Sequence, residues 1–422
     1  MKKLLPATLT ALMFGAIPVA HADTLKMACN VSGAMKPYCE HVKGRFEKET
    51  QHKLAFVEMP AASDEKLALY QQIFAAKDAD AVDVLSIDVI WTGLLDKHLL
   101  DLTDKVKDLE PSFFPNNWKN NIVNGRIKAV PGQLDAGMMY YRKDLLAKHK
   151  EQPPKTWEDL TRIAKTVQEA ERAAGNKNFW GFVFQGKAYE GLSCDVLEWV
   201  ASYNGGTFVD PAGNITINNP KAAKALNTAA SWVGTIAPKG VMGYQEEESR
   251  AVFQNGDALF MRNWPYAYVL TQADNSPVKG KVGVIPIPKG GEDGLHAATL
   301  GGWQWSVSAY SKNPDAAIKL VRILSEAETQ KRAFMLLGIP PARVDTYQDA
   351  EVQAKAPYLA EFKDVFANAV PRPSTPTRSQ FPKVSKAMFN AGYDVLSGRA
   401  TGEQAVADLE DKLKRIKGRE WK

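Results

Sequence analysis

The stretch LAFVEMPAASDEKLALYQQIFAAKDADAVDVLSID, residues 54–88, decides the fold. LAFVEM at 54–59 and VDVLSI at 82–87 are apolar runs of strand length. Between them Ser63 to Lys77 places Leu67, Tyr70 and Phe74 at helical spacing. A further run, TLKMAC at 24–29, reads as a strand that precedes them. The chain therefore begins β-α-β-α-β, which calls for a parallel sheet with helices on its faces.

A second region of the same kind starts after residue 135. Pro153-Pro154 leads into Thr156, whose hydroxyl can cap a helix carrying Trp157, Leu160, Ile163 and Val167 on one side. Asn219-Pro220 and Asn313-Pro314 both read as an N-cap followed by proline at the first helical position, and Gly338 stops the helix that Pro314 begins. Val406, Leu409, Leu413 and Ile416 give a final amphipathic helix. No flexible linker separates the two regions, so short crossings between two discontinuous lobes are expected.

Residues 1–22, MKKLLPATLTALMFGAIPVAHA, read as an export signal: Lys2 and Lys3, an apolar stretch from Leu4 to Ala20, and Ala20-His21-Ala22 as cleavage site. Pro6 and Pro18 interrupt the stretch and it is short for a bilayer span. A periplasmic chain that does not insert in the membrane is expected, cleaved after Ala22. Without Lys2 and Lys3, 51 basic residues stand against 48 acidic ones, interspersed, which argues against nucleic acid as a partner. Hydrophobic content of 45% supports two cores. In an oxidising compartment Cys29 and Cys39 are read as a disulfide, and Cys194, in an apolar helical pattern, as a buried free thiol.

Hydrolase, phosphate-loop and dinucleotide motifs are missing. The six histidines are scattered, so neither metal nor cofactor is assigned. What stands out is aromatic rings beside glycine, proline and single polar groups, as in NWPYAY at 263–268 and GGWQW at 301–305. Sugars suit such surfaces: a ring covers the C–H face of a pyranose, and planar carboxylates and guanidinium groups each serve two hydroxyls. Asp88 closes its strand at the carboxyl end, where open α/β sheets bind ligands. Asp135 lies between two apolar runs, where an unpaired charge is costly. A cap or turn role is the alternative for each.

In this order the segments resemble the extracellular solute-binding proteins of ATP-driven (ABC) sugar importers, and within them the trehalose/maltose-binding group. The likeness is carried by SIDVIW at 86–91, LDAGMMYYRKDL at 134–145, FWGFVFQGKAYEGLSCDVLEW at 179–199, RNWPYAY at 262–268, SPVKGKVGV at 276–284, AATLGGW at 297–303 and AVPRP at 369–373. It implies two α/β lobes joined by three crossovers with sugar in the cleft, lobe 1 being about 23–134 plus 303–345 and lobe 2 about 136–300 plus 346–422. It also implies that Asp88 and Asp135 accept hydroxyl hydrogen bonds, that Trp264, Tyr266 and Trp303 supply stacking faces beside Gly301 and Gly302, and that Arg372 donates.

Three places depart from the trehalose/maltose pattern. Lys66 stands where an arginine would contact the sugar, Gln133 where a tyrosine would, and Met35-Lys36 where a glutamate would. One sugar subsite is then kept and the other altered. The expected function is a monomeric, non-enzymatic receptor that gives a disaccharide or similar α-glucoside to membrane permease subunits. A polyol or glycosylated-osmolyte receptor is one alternative, and a secreted glycosidase using Asp88 and Asp135 is another. A carboxylate poised for a ligand is expected to lack protein partners, so removal of Asp88 should hardly affect stability.

Overall fold

Two open sheets organise the chain, described here by a computed structural model for residues 23–29, 31, 35–60, 62–417 and 421. The export signal read over 1–22 lies outside these residues. In the first sheet the order is Lys53–Val57, Thr24–Ala28, Val84–Asp88, Trp303–Val307, Val130–Pro131. The first three strands are parallel, with helices Met35–Thr50 and Ser63–Ala75 as crossovers, as residues 24–88 predict. The sheet is not wholly parallel, however, because Trp303–Val307 returns from far along the chain and pairs antiparallel with Val84–Asp88.

The second sheet runs Val282–Ile285, Met138–Arg142, Ala258–Asn263, Trp180–Val183. Its helix Trp157–Ala173 starts as expected: Thr156 Oγ1 accepts from the Asp159 amide at 3.0 Å, and the Asp159 carboxylate bonds back to the Thr156 amide. Asn219 caps the helix Pro220–Trp232 through the amides of Lys221 and Ala222. Trp157, Trp199 and Trp232 meet in the core of this lobe, with Trp157 and Trp232 ring centroids 5.0 Å apart. Most tryptophans are thus framework.

Two expectations fail locally. Asn313 makes no side-chain cap, and the helix begun at Pro314 ends at Leu324 rather than running on to Gly338. Ser325 turns its hydroxyl onto the Val321 carbonyl at 2.7 Å, and a second helix, Ala327–Leu337, follows. Gly338 does stop that second helix, in the left-handed conformation open to glycine. Cys29 and Cys39 are disulfide-bonded, and Cys194 is free and buried.

Three segments link the lobes side by side. Asp135–Ala136 pairs antiparallel with Leu300–Gly301, and Thr299 bridges to Val370. Behind them lies a buried ionic cluster. Arg262 holds Glu198 through Nε at 2.8 Å and Nη2 at 2.5 Å, contacts Asp195 at 3.0 Å, and donates to Gln185. Glu198 Oε1 also accepts the Thr299 amide at 3.1 Å. Gly137 presses on the same carboxylate so closely that a Cβ there would lie 1.9 Å from it. Two of the crossings are therefore fixed to one buried pair.

Candidate functional site

A cavity of about 740 Å³ opens between the lobes, where the carboxyl end of the strand Val84–Asp88 faces the crossings. Ten residues singled out from the sequence line it, Lys66, Asp88, Gln133, Asp135, Trp264, Tyr266, Gly301, Gly302, Trp303 and Arg372; of the pair Met35-Lys36, Met35 lines it too, whereas Lys36 is exposed beside Glu40. Period-two alternation explains part of this, since Asp88 pairs across the sheet with Trp303 and both ends point the same way.

Asp88 is buried and is not short of partners, contrary to expectation. Its Oδ1 accepts from Arg372 Nη2 at 3.1 Å and from the Ile90 amide at 3.3 Å, and its Oδ2 from Ser63 Oγ at 2.9 Å. Arg372 also reaches Glu190 Oε1 through Nη1 at 2.9 Å. Its Nε is buried without a partner, so this guanidinium keeps a donor in reserve beside the cavity. Glu190 itself is held to Ser385, and burial raises its pKa despite Arg372 alongside. Glu190 lies inside one of the motifs quoted above but carried no assigned role. Only its meeting with Arg372, 182 positions away, reveals it.

Asp135 accepts from Gln133 Nε2 at 2.8 Å. Burial pushes its carboxyl up to about 6, with the Gln133 bond opposing. Lys66 is pushed down to about 8 by burial, while Asp88 acts in the other direction. Its Nζ stands 3.8 Å from the centroid of the Trp303 ring, so the ammonium covers a face of that indole. The edge of Trp91 meets Trp303 as well, with centroids 5.6 Å apart.

Trp264 sits in a two-residue link between the strand Ala258–Asn263 and the helix Tyr266–Thr271, as proline in NWPY suggests. The Arg262 guanidinium lies 4.2 Å from its ring centroid, and its Nε1 donates to Glu246 at 3.3 Å. Tyr266 donates to Glu247 at 2.5 Å. Glycine is required where the crossings approach these rings. A Cβ on Gly301 would lie 2.8 Å from the Trp264 ring, and one on Gly302 would lie 2.5 Å from the Gln133 carbonyl, at a φ of 119°. Cys194 also lines the cavity, but burial raises its thiol pKa far above the usual range, which leaves it a small hydrophobe.

The site thus offers planar charged groups, three indoles and three phenols on walls from both lobes, with no cluster of three potential metal ligands among the described residues. The sequence model for bacterial extracellular solute-binding proteins matches residues 43–360. A probable ABC transporter-binding protein of Deinococcus radiodurans is 46% identical over 423 residues, covering 100% of both chains. The maltodextrin-binding protein MdxE of Bacillus subtilis is 24% identical over 92% of this chain and 89% of its own. Maltose-bound MalE3 of T. maritima superimposes with a TM-score of 0.87 at 37% identity, covering 94% of this chain and 100% of its own. Among the described residues no helix is long and apolar enough to cross a membrane. The chain has the two-lobe fold of the maltose-binding proteins and belongs to the bacterial extracellular solute-binding proteins, the family that gives ABC sugar importers their receptors.

Proposed function

We propose that this chain is a periplasmic receptor that captures a disaccharide or another α-glucoside between its lobes and presents the closed form to the permease subunits of an ABC importer. The observation that carries the reading is the set Asp88, Arg372 and Glu190 beside the indole of Trp303, across one cavity from Trp264 and Tyr266. Planar charged groups next to rings match the alternating hydroxyl and C–H surfaces of a pyranose. The similarity to a maltose-bound protein at 37% identity supports the α-glucoside class.

In this reading Asp88 and Asp135 accept from sugar hydroxyls, Arg372 donates through its spare Nε, and Trp264, Tyr266 and Trp303 pack on ring faces. Gly301 and Gly302 let the backbone approach. Lys66 and Gln133 serve the altered subsite, and Lys66 leaves the Trp303 face when the sugar arrives. We take lobe 1 as about 23–134 plus 303–367 and lobe 2 as about 136–300 plus 371–422, the first lobe extending past residue 345 because Tyr347 packs on Phe114 and Asn116 donates to the Ala367 carbonyl, with the segment 1–22 removed on export. Ligand favours the closed form by contacts made with both lobes at once, and hinge closure of periplasmic binding proteins is a standard example of such a switch.

A thermal-shift screen over maltose, trehalose, monosaccharides and polyols tests the assignment. Ligand at about 100 times its Kd stabilises by about 2.7 kcal/mol, which a melting curve resolves. A shift with α-linked disaccharides and none with polyols is expected. A shift with polyols alone moves the receptor to the other ligand class. Release of nitrophenol from nitrophenyl glycosides on prolonged incubation would replace the receptor with a glycosidase.

A further inference from the structure

Negative charge outweighs positive in the lining of the cleft. Asp88, Asp135, Glu190, Glu246, Glu247 and Glu248 line the cavity, against the cationic side chains of Lys66 and Arg372. Most of these charges are answered. Arg372 sits between Asp88 and Glu190. Glu247 pairs with Arg250, and Glu248 accepts the Gln245 amide at the start of its own helix; both glutamates are exposed. Lys66 lies over Trp303, where Asp88 is the carboxylate that acts on it.

Asp135 and Glu246 are left over. Their partners are neutral: Gln133 Nε2 donates to Asp135 Oδ2 at 2.8 Å, and Trp264 Nε1 to Glu246 Oε1 at 3.3 Å. The second oxygen of each, Asp135 Oδ1 and Glu246 Oε2, has no hydrogen-bond partner among the described residues, and neither is sealed from the cavity. The two carboxylates flank one indole. Glu246 stands at the Nε1 edge of Trp264 and Asp135 at its benzene edge, where a Cβ on Gly301 would lie 2.8 Å from Trp264 Cζ3 and 3.2 Å from Asp135 Cβ. Arg262 covers one face of that ring, but its charge is held by Glu198 and Asp195. Burial raises the pKa of Asp135, and the neighbouring charge that bears on it, Asp88, is negative and raises it further.

A sugar hydroxyl donated to either oxygen answers it with a dipole and leaves both charges standing. A protonated amine brings three donors and a full positive charge, and a cation also gains against the face of an indole. We propose that the sugar this receptor captures carries a protonated amine in place of one hydroxyl, seated on Trp264 with Glu246 and Asp135 at its edges. This inference rests on the α-glucoside receptor reading of the same cleft and narrows it to amino sugars. Calorimetric titration of the mature chain at pH 7 with maltose, trehalose and the trehalose derivatives that carry one amine at C2, C3, C4 or C6 tests it.

At least one of the amines should bind about tenfold more tightly than either neutral sugar, as a charge-assisted bond exceeds a neutral one. Glu246→Gln, which keeps an acceptor for Trp264 Nε1, and Asp135→Asn should each bring the preference for that amine close to one. Melting curves identify a variant that fails to fold, and the other then reads the same ratio. N-acetylation of the preferred derivative removes its charge and should abolish the preference. Binding of a neutral disaccharide at least as tightly as every amine would overturn this inference while the sugar receptor stands. A preference untouched by both substitutions would overturn it too, because the ammonium would lie elsewhere. Binding of none of these sugars would remove the α-glucoside reading, and the inference with it.

Discussion

Arg262 and Arg372 each sit between two carboxylates, yet their surroundings differ. Arg262 spends all three nitrogens on Glu198, Asp195 and Gln185. Arg372 spends two, on Asp88 and Glu190, and keeps a buried Nε unpartnered beside the cavity. The first cluster also fixes two crossings between the lobes, at Gly137 and Thr299. The second joins a strand end, a helix start and a crossing around open space. In the first cluster the one atom without a hydrogen bond is Asp195 Oδ1, which does not line the cavity, whereas in the second it is a donor on a residue that does. The comparison separates framework charge from charge available for binding, and mutation can break it.

The largest effect belongs to the framework. Arg262→Met leaves Asp195 and Glu198 without their counter-charge in a dry core, and should cost about 3–5 kcal/mol of stability in urea unfolding. A loss below 1 kcal/mol would mean that the two acids are held neutral and that the cluster does not brace the crossings. Asp88→Ala should cost about 1.5–3 kcal/mol of sugar affinity, the range for hydrogen bonds to a charged group. It should also lower the melting temperature, because Ser63, the Ile90 amide and Arg372 lose their acceptor. Calorimetry and a melting curve on one preparation read both. A lowered melting temperature with unchanged affinity would move this cluster into the framework with Arg262.

Trp264→Ala and Trp303→Ala should each weaken binding by about 1.5 kcal/mol, the low end for burial of a large apolar side chain. The low end applies because Arg262 and Lys66 already cover a face of each ring. Lys66→Met sharpens the point. If the ammonium must leave Trp303 before a sugar stacks, this variant should lose less affinity than either tryptophan variant. A larger loss would make Lys66 a direct donor to the ligand.

The sequence was legible where its signals are local. Alternating apolar runs gave the first three strands, the hydroxyl of Thr156 and the amide of Asn219 gave helix starts, and Cys29 and Cys39 gave a bridge. Local signals also misled: Asn313 resembles a cap yet makes none, and the gap at Ser325 splits one expected helix in two. The cavity-lining residues came from resemblance and from strand-end position, and the fold brings them together. Their partners were not legible, because each depends on contacts distant in sequence. Glu190 meets Arg372 across 182 positions, and Ser63 completes Asp88 from another element. No spacing rule announces that Asp88 is already satisfied, or that Lys66 rests on Trp303.

The smallest effect is set by pH and concerns Asp135. Burial raises its carboxyl pKa to about 6 in the folded chain, against an ordinary value of 3.8. Between those values the folded state holds a proton that the unfolded state has released. The contribution of Asp135 to stability therefore falls as pH rises from about 4 to about 6, and is level on either side. Binding has the opposite sign if a sugar hydroxyl donates to the carboxylate, because the acceptor form grows over the same window. Affinity at pH 5 should then be about tenfold weaker than at pH 7, one unit below the folded pKa being worth about 1.4 kcal/mol. Titration of the wild type and Asp135→Asn at both pH values, each with an unfolding curve, reads the two slopes together. The variant should lose both. Equal affinity at pH 5 and pH 7 in the wild type would mean that Asp135 meets no hydroxyl donor, and its bond to Gln133 would be its whole role.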